Sequence, residues 1–318
     1  MYRFDDGKGK DRGDEEEEED EECPRLTETS SFECTFPSTK LLWSPNETGL
    51  LATAGDHLRL WNVNLDENDT TKKKKKKKKK DEDRLETDKT DSSTCKQKSC
   101  LKNETFAPLT SIDWNRTDPT MMGALNYDKD YFSCTLWDIE TETPEVNILL
   151  DEAKGSTGYD LAFHAKDGDI FGTVGEDGKL RIFDVRSLKR VSIVHETDRS
   201  LFRLIWNPQN PLYVGVLFSE SSDVMVLDLR SSREPVLSLS GHTAQVNAIA
   251  WAPQSANHMC TVSDDKQANV WDFSRQTAVT EPMLSYGTDS KINNVAWSAA
   301  QNSHIALAAG KRLQILRV

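Results

Sequence analysis

The sequence predicts an all-β protein of the β-propeller class with six detectable blades. The main observation is that two short motifs each occur six times, always in the same order. The first motif is an apolar run that ends in an aromatic residue, and the second follows it after roughly 20 residues. The first motif ends at Trp43, Trp114, Phe163, Trp206, Trp251 and Trp297. The second has its aromatic or leucine at Trp61, Trp137, Phe183, Leu227, Trp271 and Leu316.

The spacing of the second motif matches one propeller blade. Positions 137, 183, 227, 271 and 316 are 44 to 46 residues apart, and a four-stranded blade takes about 40–45 residues. The interval from Trp43 to Trp114 is longer, and removing roughly residues 66–104 restores the period. We therefore expect an insertion over 66–104 in a propeller that spans residues 31–318.

The residues between the two motifs predict a further strand and a tight turn. Asp177-Gly178 separates two β-rich runs, and glycine tolerates the positive φ that a hairpin turn requires. In both this copy and the fifth, the turn aspartate stands six residues before the aromatic position of the second motif. Each repeat therefore contains a hairpin between its two markers.

The fifth repeat opens with Gly241-His242, and its Gly-His…Asp…Trp-Asp unit resembles the WD-repeat signature. In such blades His242, Asp265, Trp271 and a strand hydroxyl, from Thr261 or Ser263, form a buried hydrogen-bond chain. The chain satisfies polar groups that would otherwise cost about 1–3 kcal/mol each. We interpret this set as structural and not as a catalytic triad.

Two charged runs interrupt an otherwise globular composition. Residues 14–22 are all acidic and residues 72–80 are all lysine. Blocks of like charge repel each other and bury no apolar surface. We expect residues 1–30 to be a disordered acidic tail and the insertion to be disordered and Lys-rich. The net charge of -13 disfavours nucleic-acid binding by the folded body.

The sequence offers no recognisable catalytic or metal-binding pattern. Phosphate-loop, dinucleotide-binding, HExxH and GxSxG motifs are missing, and the six histidines have no ligand spacing. The six cysteines form no CxxC pair, residues 1–22 have no apolar signal core, and no stretch approaches the roughly 20 apolar residues of a membrane helix. We predict a non-enzyme without cofactor, metal, small-molecule substrate or membrane association.

Closure of the ring needs an outer strand for the last blade. The segment Ser31–Phe36 precedes the first motif and has a β-type pattern. Pairing it with the last blade would remove exposed sheet edges that invite aggregation. We expect residues 31–36 to be that strand.

One mouth of the ring is the expected partner-binding surface, because the innermost strands begin there. Tyr159 and Phe202 are the leading candidates, since aromatic residues dominate interface hot spots. The alternative for each is packing between blades. The full set at this position is Thr39, Thr110, Tyr159, Phe202, Asn247 and Asn293.

Several phrases resemble the Transparent Testa Glabra family of WD-repeat scaffolds. They are residues 50–56, 107–115, 246–253, 292–295 and 313–318, and the similarity covers roughly residues 36–63 and 106–318. The resemblance implies an adaptor of nucleus and cytoplasm that joins MYB and basic helix-loop-helix transcription factors in plants. Animal members are cullin-ligase-associated and bind protein kinases. Two features depart from the family, which has seven blades and no Lys-rich insertion.

Two further segments look like the WD-x-Arg box through which propeller receptors dock on the adaptor of cullin-RING ubiquitin ligases. In the first, Asp184 and Arg186 follow a third strand, and Asp228 and Arg230 do so in the second. A guanidinium at the edge of a blade can make bidentate contacts with a partner. The alternative is an Asp–Arg pair within the blade.

The predicted function is a protein-interaction scaffold for kinases, transcription regulators or ubiquitin-ligase components. One alternative is a substrate receptor of a cullin-RING ligase. Another is association with nucleic acid through the lysine run, and a purely structural subunit of a constitutive complex remains open. An enzyme with its chemistry hidden in the channel mouth is the alternative from another class.

Overall fold

The computed structural model describes eleven segments of the chain. They are residues 2–4, 26–28, 31–34, 36–64, 95–102, 108–127, 132–150, 155–188, 191–231, 234–274 and 278–318. These segments contain β-strands and one 3-10 turn, Val185–Ser187, but no α-helix. The all-β prediction is confirmed. No helix within them is long and apolar enough to cross a membrane.

The strands form six sheets that follow one another along the chain, together with a short N-terminal hairpin. The hairpin pairs β1 (Tyr2–Phe4) with β2 (Leu26–Glu28). The first sheet contains β3 (Lys40–Trp43), β4 (Leu50–Ala54), β5 (Leu58–Val63) and β6 (Cys95–Leu101). The second contains β7 (Leu109–Trp114), β8 (Met121–Asn126), β9 (Phe132–Asp138) and β10 (Thr143–Leu150). The third contains β11 (Gly158–Phe163), β12 (Ile170–Gly175), β13 (Lys179–Asp184) and β14 (Val191–Glu196).

The last three sheets vary this plan at their outer edges. The fourth contains β15 (Leu201–Trp206), β16 (Tyr213–Phe218), β17 (Asp223–Asp228) and β18 (Leu237–Ser240), with β22 (Ala278–Val279) added in parallel to β18. The fifth contains β19 (Val246–Trp251), β20 (His258–Ser263), β21 (Gln267–Asp272) and β23 (Leu284–Gly287). The sixth contains β24 (Ile292–Trp297), β25 (His304–Ala309) and β26 (Arg312–Arg317). Six sheets of antiparallel meanders make a six-bladed propeller.

Apolar cores lie between consecutive sheets and hold them in order. Leu60 and Ile112, both fully buried, belong to the core between the first and second sheets. Four further cores join the second sheet to the third and so on to the sixth. Among the described residues no comparable core joins the sixth sheet to the first. The ring is therefore packed through five of its junctions.

The predicted closing strand is wrong for the residues that the structure describes. Residues 31–34 form no strand, and the sixth sheet has three strands. Phe32 stacks on Trp61 of the first sheet, with ring centroids 4.3 Å apart. Phe32 packs with Trp61 against the apolar cluster on this face of the first sheet, and this contact holds the segment there.

The predicted insertion is shorter than expected at its C-terminal side. Residues 95–101 form β6 and pair along the whole of β5, from Leu58↔Leu101 to Val63↔Cys95. Lys96, Gln97 and Lys98 are exposed while Cys95 and Leu101 are buried, so a polar composition concealed an outer strand. Residues 65–94, which include the lysine run, lie outside the described residues, as does most of the predicted acidic tail.

The hydrogen-bond chain of the fifth repeat is present, and Thr261, not Ser263, supplies its hydroxyl. Asp265 accepts from Nδ1 of His242 at 2.8 Å, and Oγ1 of Thr261 lies 2.7 Å from Nε2 of that ring. Trp271 donates from Nε1 to the same hydroxyl at 2.8 Å. Ser263 bonds instead to the carbonyl of Ala244 and to the Asp265 amide. Thr261 completes the chain because its side chain lies on the same face of the sheet as Trp271.

Burial alone would raise the pKa of Asp265. The amides of Thr243 and Gln267 and the ring of His242 all bond to this carboxylate and outweigh burial, so its pKa falls below the ordinary value. The ionised carboxylate fixes the His242 tautomer with the proton on Nδ1. Nε2 is then the acceptor, and the Thr261 hydroxyl donates to it while accepting from Trp271.

Replacing Thr261 with Val should destabilise the protein by about 1–3 kcal/mol, because two buried groups of His242 and Trp271 lose their partner. Thr173→Val is the matched control. Thr173 occupies the same position of β12, but Phe183 stands where the fifth sheet has Trp271, and the Thr173 hydroxyl has no hydrogen-bond partner. The control should be neutral or stabilising in urea unfolding. Equal losses in the two variants would show that the chain contributes nothing specific.

Candidate protein-interaction surfaces

At the mouth of the ring, where the inner strands begin, five of the six predicted candidates occupy the same structural position. The inner strands of the second to sixth sheets each skip one residue in their pairing with the next strand. A β-bulge of this kind leaves one residue outside the ladder and re-aims its side chain. The skipped residues are Thr110, Tyr159, Phe202, Asn247 and Asn293.

Tyr159 and Phe202 come together on neighbouring sheets. Their rings meet edge to face with centroids 6.3 Å apart, and the Arg203 guanidinium lies 5.6 Å from the Phe202 ring. Both side chains are only half-buried. Partial burial raises the pKa of the Tyr159 hydroxyl, and the nearby Glu176 and Tyr127 raise it further. The pair therefore forms an amphipathic aromatic surface with a cation beside it.

The other four candidates contribute less to an open surface. The Nδ2 group of Asn247 donates to Oδ1 of Asp264 at 2.8 Å and to the Ile292 carbonyl at 2.9 Å, so it joins the fifth sheet to the sixth. Thr110 bonds weakly to the Leu125 carbonyl, and Asn293 is exposed. Thr39 bonds to the Leu109 carbonyl at 3.2 Å, a contact between the first and second sheets.

A charged network crosses the channel one residue deeper, and the motifs did not reveal it. Nζ of Lys40 in the first sheet lies 3.0 Å from Oδ1 of Asp160 in the third. The same oxygen accepts from the hydroxyl of Ser111 in the second sheet at 2.6 Å, and Oδ2 accepts from the Leu204 amide of the fourth at 3.2 Å. One carboxylate thus ties four sheets together.

A second carboxylate beside the network joins the second and third sheets. Oδ2 of Asp113 accepts from the Phe163 amide at 2.7 Å. Burial raises the pKa of Asp113, while the nearby Lys40 ammonium lowers it in part. Lys40 and Asp160 each stand directly before the apolar run of the first motif, where the fifth repeat has Ala248. A charged residue at this position was the signal that the sequence offered for the network.

The two Asp–Arg motifs lie at the opposite edge of the ring, which we call the lower edge, where the third strands end. Arg186 folds back on Asp184 through its amide, Nε and Nη2 at 2.9, 2.9 and 2.8 Å. Arg230 repeats this geometry on Asp228, with Nε at 3.0 Å and Nη2 at 2.6 Å. Hydrogen bonds from the arginines lower the pKa of both carboxyls.

Both arginine side chains nevertheless remain 64% exposed. Each arginine thus pairs with an aspartate of its own blade and still exposes its side chain to solvent. The two interpretations of the motif, pairing within the blade and contact with a partner, are therefore compatible. Because the third and fourth sheets are neighbours, the lower edge presents two guanidinium groups, each held by the aspartate two residues before it.

Two cysteines and the His–Asp–Thr set of the fifth sheet are deeply buried. Burial raises the pKa of the Cys260 thiol to about 12 and that of Cys134 further still, which makes both poor nucleophiles. In the His–Asp–Thr set of the fifth sheet the Thr261 hydroxyl accepts from Trp271, and the three side chains are buried. Across the described segments no three His, Cys, Asp or Glu side chains are grouped to hold a metal ion.

Comparison with known proteins gives a consistent picture. Residues 233–272 match the family model described as "WD domain, G-beta repeat". The chain is 38% identical over 308 residues to the DDB1- and CUL4-associated factor 7 homolog of Dictyostelium discoideum, covering 94% of this chain and 85% of that protein. It is 27% identical to WD repeat-containing proteins of Schizosaccharomyces pombe and Saccharomyces cerevisiae, covering 89% of this chain and 75% and 66% of those proteins.

Lys40→Met should lower the free energy of unfolding by about 1–3 kcal/mol, because Asp160 keeps a buried charge without its counter-ion. In a double-mutant cycle with Asp160→Asn, the two losses should be less than additive. Lys179→Met is the control, since Lys179 pairs at 3.1 Å with Glu196, whose side chain is 62% exposed, and should cost below about 1 kcal/mol. Additive losses in the cycle would contradict the coupling across the channel.

Proposed function

Because this chain belongs to the WD-repeat family of the DDB1- and CUL4-associated factor 7 homolog, we propose that it is a non-enzymatic adaptor that holds other proteins together. The observation that carries this proposal is the bulged mouth. Five inner strands present their skipped residues on one face of a ring whose cores and channel network are rigidly packed. Rigid anchors bind with little loss of conformational entropy.

We propose the Tyr159–Phe202 surface as the main partner site. Aromatic side chains flanked by an arginine are the residue types that dominate interface hot spots. Partial exposure leaves both rings accessible, and their edge-to-face contact holds them in place without a partner. The resemblance to the Transparent Testa Glabra scaffolds supports a protein kinase or a transcription factor as the partner, and an adaptor that works in nucleus and cytoplasm.

A second candidate function is that of a substrate receptor in a cullin-RING ubiquitin ligase. The name of the Dictyostelium relative associates that protein with DDB1 and CUL4. The matched arginines of the lower edge support the same role here, because a guanidinium already oriented by an aspartate can bind a partner carboxylate or carbonyl at small entropic cost. The two functions are compatible, since a receptor needs one surface for the ligase and another for its cargo.

Association with nucleic acid through the lysine run stays an alternative, and that run lies outside the described residues. The insertion that contains it leaves the ring after β5, at the end of a third strand and hence at the lower edge. Replacing residues 72–80 with serine would lower the salt dependence of any binding that counter-ion release drives.

The two surfaces should be separable by substitution. Proteins that co-purify with the wild-type chain are identified by mass spectrometry and then remade in pure form. Phe202→Ala and Tyr159→Ala should each weaken the main partner by 2 kcal/mol or more, roughly 30-fold in affinity, and leave binding to purified DDB1 unchanged. Arg186→Ala with Arg230→Ala should do the reverse.

Controls distinguish a lost site from lost folding. Tyr286→Ala removes an exposed aromatic ring from the outer strand of the fifth sheet. Arg312→Ala removes an exposed arginine that lies 3.8 Å from Asp289. Both should bind like the wild type, and thermal melts accompany every variant. Wild-type melting and full-strength binding by all four site variants would remove both surfaces from the account.

A further inference from the structure

Two arginines at the mouth of the fourth sheet have no carboxylate partner. Other cations of the mouth, such as Lys40 and Arg181, pair with acidic side chains. Arg199 stands two residues before β15, and Arg203 lies within that strand. Among the described residues, neither guanidinium has a hydrogen-bond acceptor or an ion-pair partner. Two cations therefore stay without a counter-ion on a protein whose net charge is -13.

Aromatic rings hold these two guanidinium groups in place. The Cζ atom of Arg199 lies 4.2 Å from the centroid of the Phe218 ring, and that of Arg203 lies 5.6 Å from the centroid of the Phe202 ring. The face of an aromatic ring attracts a cation at such distances. Contact with a ring face uses none of the five N–H donors of a guanidinium. Those donors are therefore free for the oxygen atoms of a partner.

The backbone that carries Arg199 is fixed against a turn of the third sheet. The Thr197 amide donates to the Gly178 carbonyl at 3.0 Å, and the Ser200 hydroxyl donates to the Glu176 carbonyl at 3.0 Å. Gly178 has a φ of +70°, and a Cβ at this position would overlap the Thr197 carbonyl. Glycine therefore permits the close approach of the two segments. Arg199 thus projects from a backbone that is already ordered before any partner binds.

Aromatic side chains continue this surface from the fourth sheet to the second. Phe202 meets Tyr159 of the third sheet, as described above. Tyr127 follows β8 at the mouth and is 41% exposed. It lies close enough to Tyr159 to raise the pKa of the Tyr159 hydroxyl, and Glu176 has the same effect. Rings thus occupy the second to fourth sheets, and the two free guanidinium groups lie at the fourth-sheet end.

We propose that this surface binds a short segment of a partner protein in which an apolar residue has aspartate or glutamate a few positions away on one side. The inference rests on the proposed function and names the chemistry of the partner at the same mouth. We call the surface the aromatic–arginine row, and its members are Tyr127, Tyr159, Phe202, Arg199 and Arg203. Its rings would contact the apolar residue, and its guanidinium groups would bind the carboxylates through charge-assisted hydrogen bonds.

The charge of the surroundings limits which acidic segment can bind. The net charge of -13 repels a long acidic run and also repels nucleic acid. Glu176 adjoins Tyr159 and repels an acidic residue placed over the rings. The carboxylates of the partner are therefore few, and they lie at the arginine end of the row.

A random peptide library displayed on phage tests this chemistry on the full-length chain. Peptides selected on the wild type should be enriched in aspartate and glutamate near an aromatic or branched aliphatic residue. The tightest peptide, made synthetically, should bind Arg199→Gln with Arg203→Gln at least about tenfold more weakly, because charge-assisted hydrogen bonds are lost. Arg186→Gln with Arg230→Gln is the matched control, since it makes the same change at the lower edge, and should bind like the wild type.

A charge exchange separates a lost site from lost folding. Arg199→Glu with Arg203→Glu should lose the selected peptide and should bind a version of it in which every acidic residue is replaced with lysine. An unfolded ring would not gain this affinity. Rising salt should weaken the wild-type complex and should have less effect on the remaining binding of the double glutamine variant, because salt screens exposed charges.

The outcomes distinguish this inference from the function on which it rests. Selected peptides that depend on Phe202 but carry no acidic residue would overturn the inference and leave the mouth as a partner site. Full-strength binding of an acidic peptide to the double glutamine variant would have the same meaning. A library without any peptide that Phe202→Ala weakens would also overturn the inference, while the co-purified proteins test the adaptor function separately.

Discussion

A propeller blade that is apolar on both faces cannot be stable alone, and this constraint governs the whole structure. Each sheet must bury one face against the sheet before it and the other against the sheet after it. Five shared cores meet this need from the first sheet to the sixth. On its other face the first sheet shares no core with the sixth among the described residues. Leu41 and Trp43 of the first sheet are half-exposed, and Phe32 covers only the outer part of that face.

The same constraint explains how a packed ring can present specific surfaces. The side chains of the inner strands pack against the adjacent sheets. One of them therefore reaches the mouth only where a β-bulge removes its residue from the strand pairing. The Asp160 network then fixes the relative positions of four inner strands through one carboxylate. At the lower edge, Asp184 and Asp228 hold their arginines through hydrogen bonds between residues two positions apart in the chain. These bonds do not involve any other sheet. The side chains presented at the mouth and at the lower edge are thus a consequence of sheet packing.

The sequence alone predicted the features that repeat and missed those that do not. Doubled motifs at 44 to 46 residues identified the blades, and the position before each aromatic motif identified Tyr159 and Phe202. The bulge itself has no sequence signature, so the reason for their exposure emerged only from the pairing. The pair of Lys40 and Asp160 joins residues 120 positions apart, and no local pattern records that distance. We predicted that β6 belongs to the insertion, because its exposed lysines dominate a segment in which only the two end residues are buried apolar ones. Phe32 stacks on Trp61 and does not join a sheet edge.

The central claim is that a rigid ring binds proteins through its mouth and its lower edge and not through its outer strands. Cross-linking mass spectrometry of the chain isolated with its partners tests this most directly. The account predicts partner cross-links to Lys179, Lys266 and Lys291 near the mouth and to Lys166 near the lower edge, with few to Lys96 and Lys98 on β6. Cross-links concentrated on outer strands, or a chain that retains no protein partner, would contradict it.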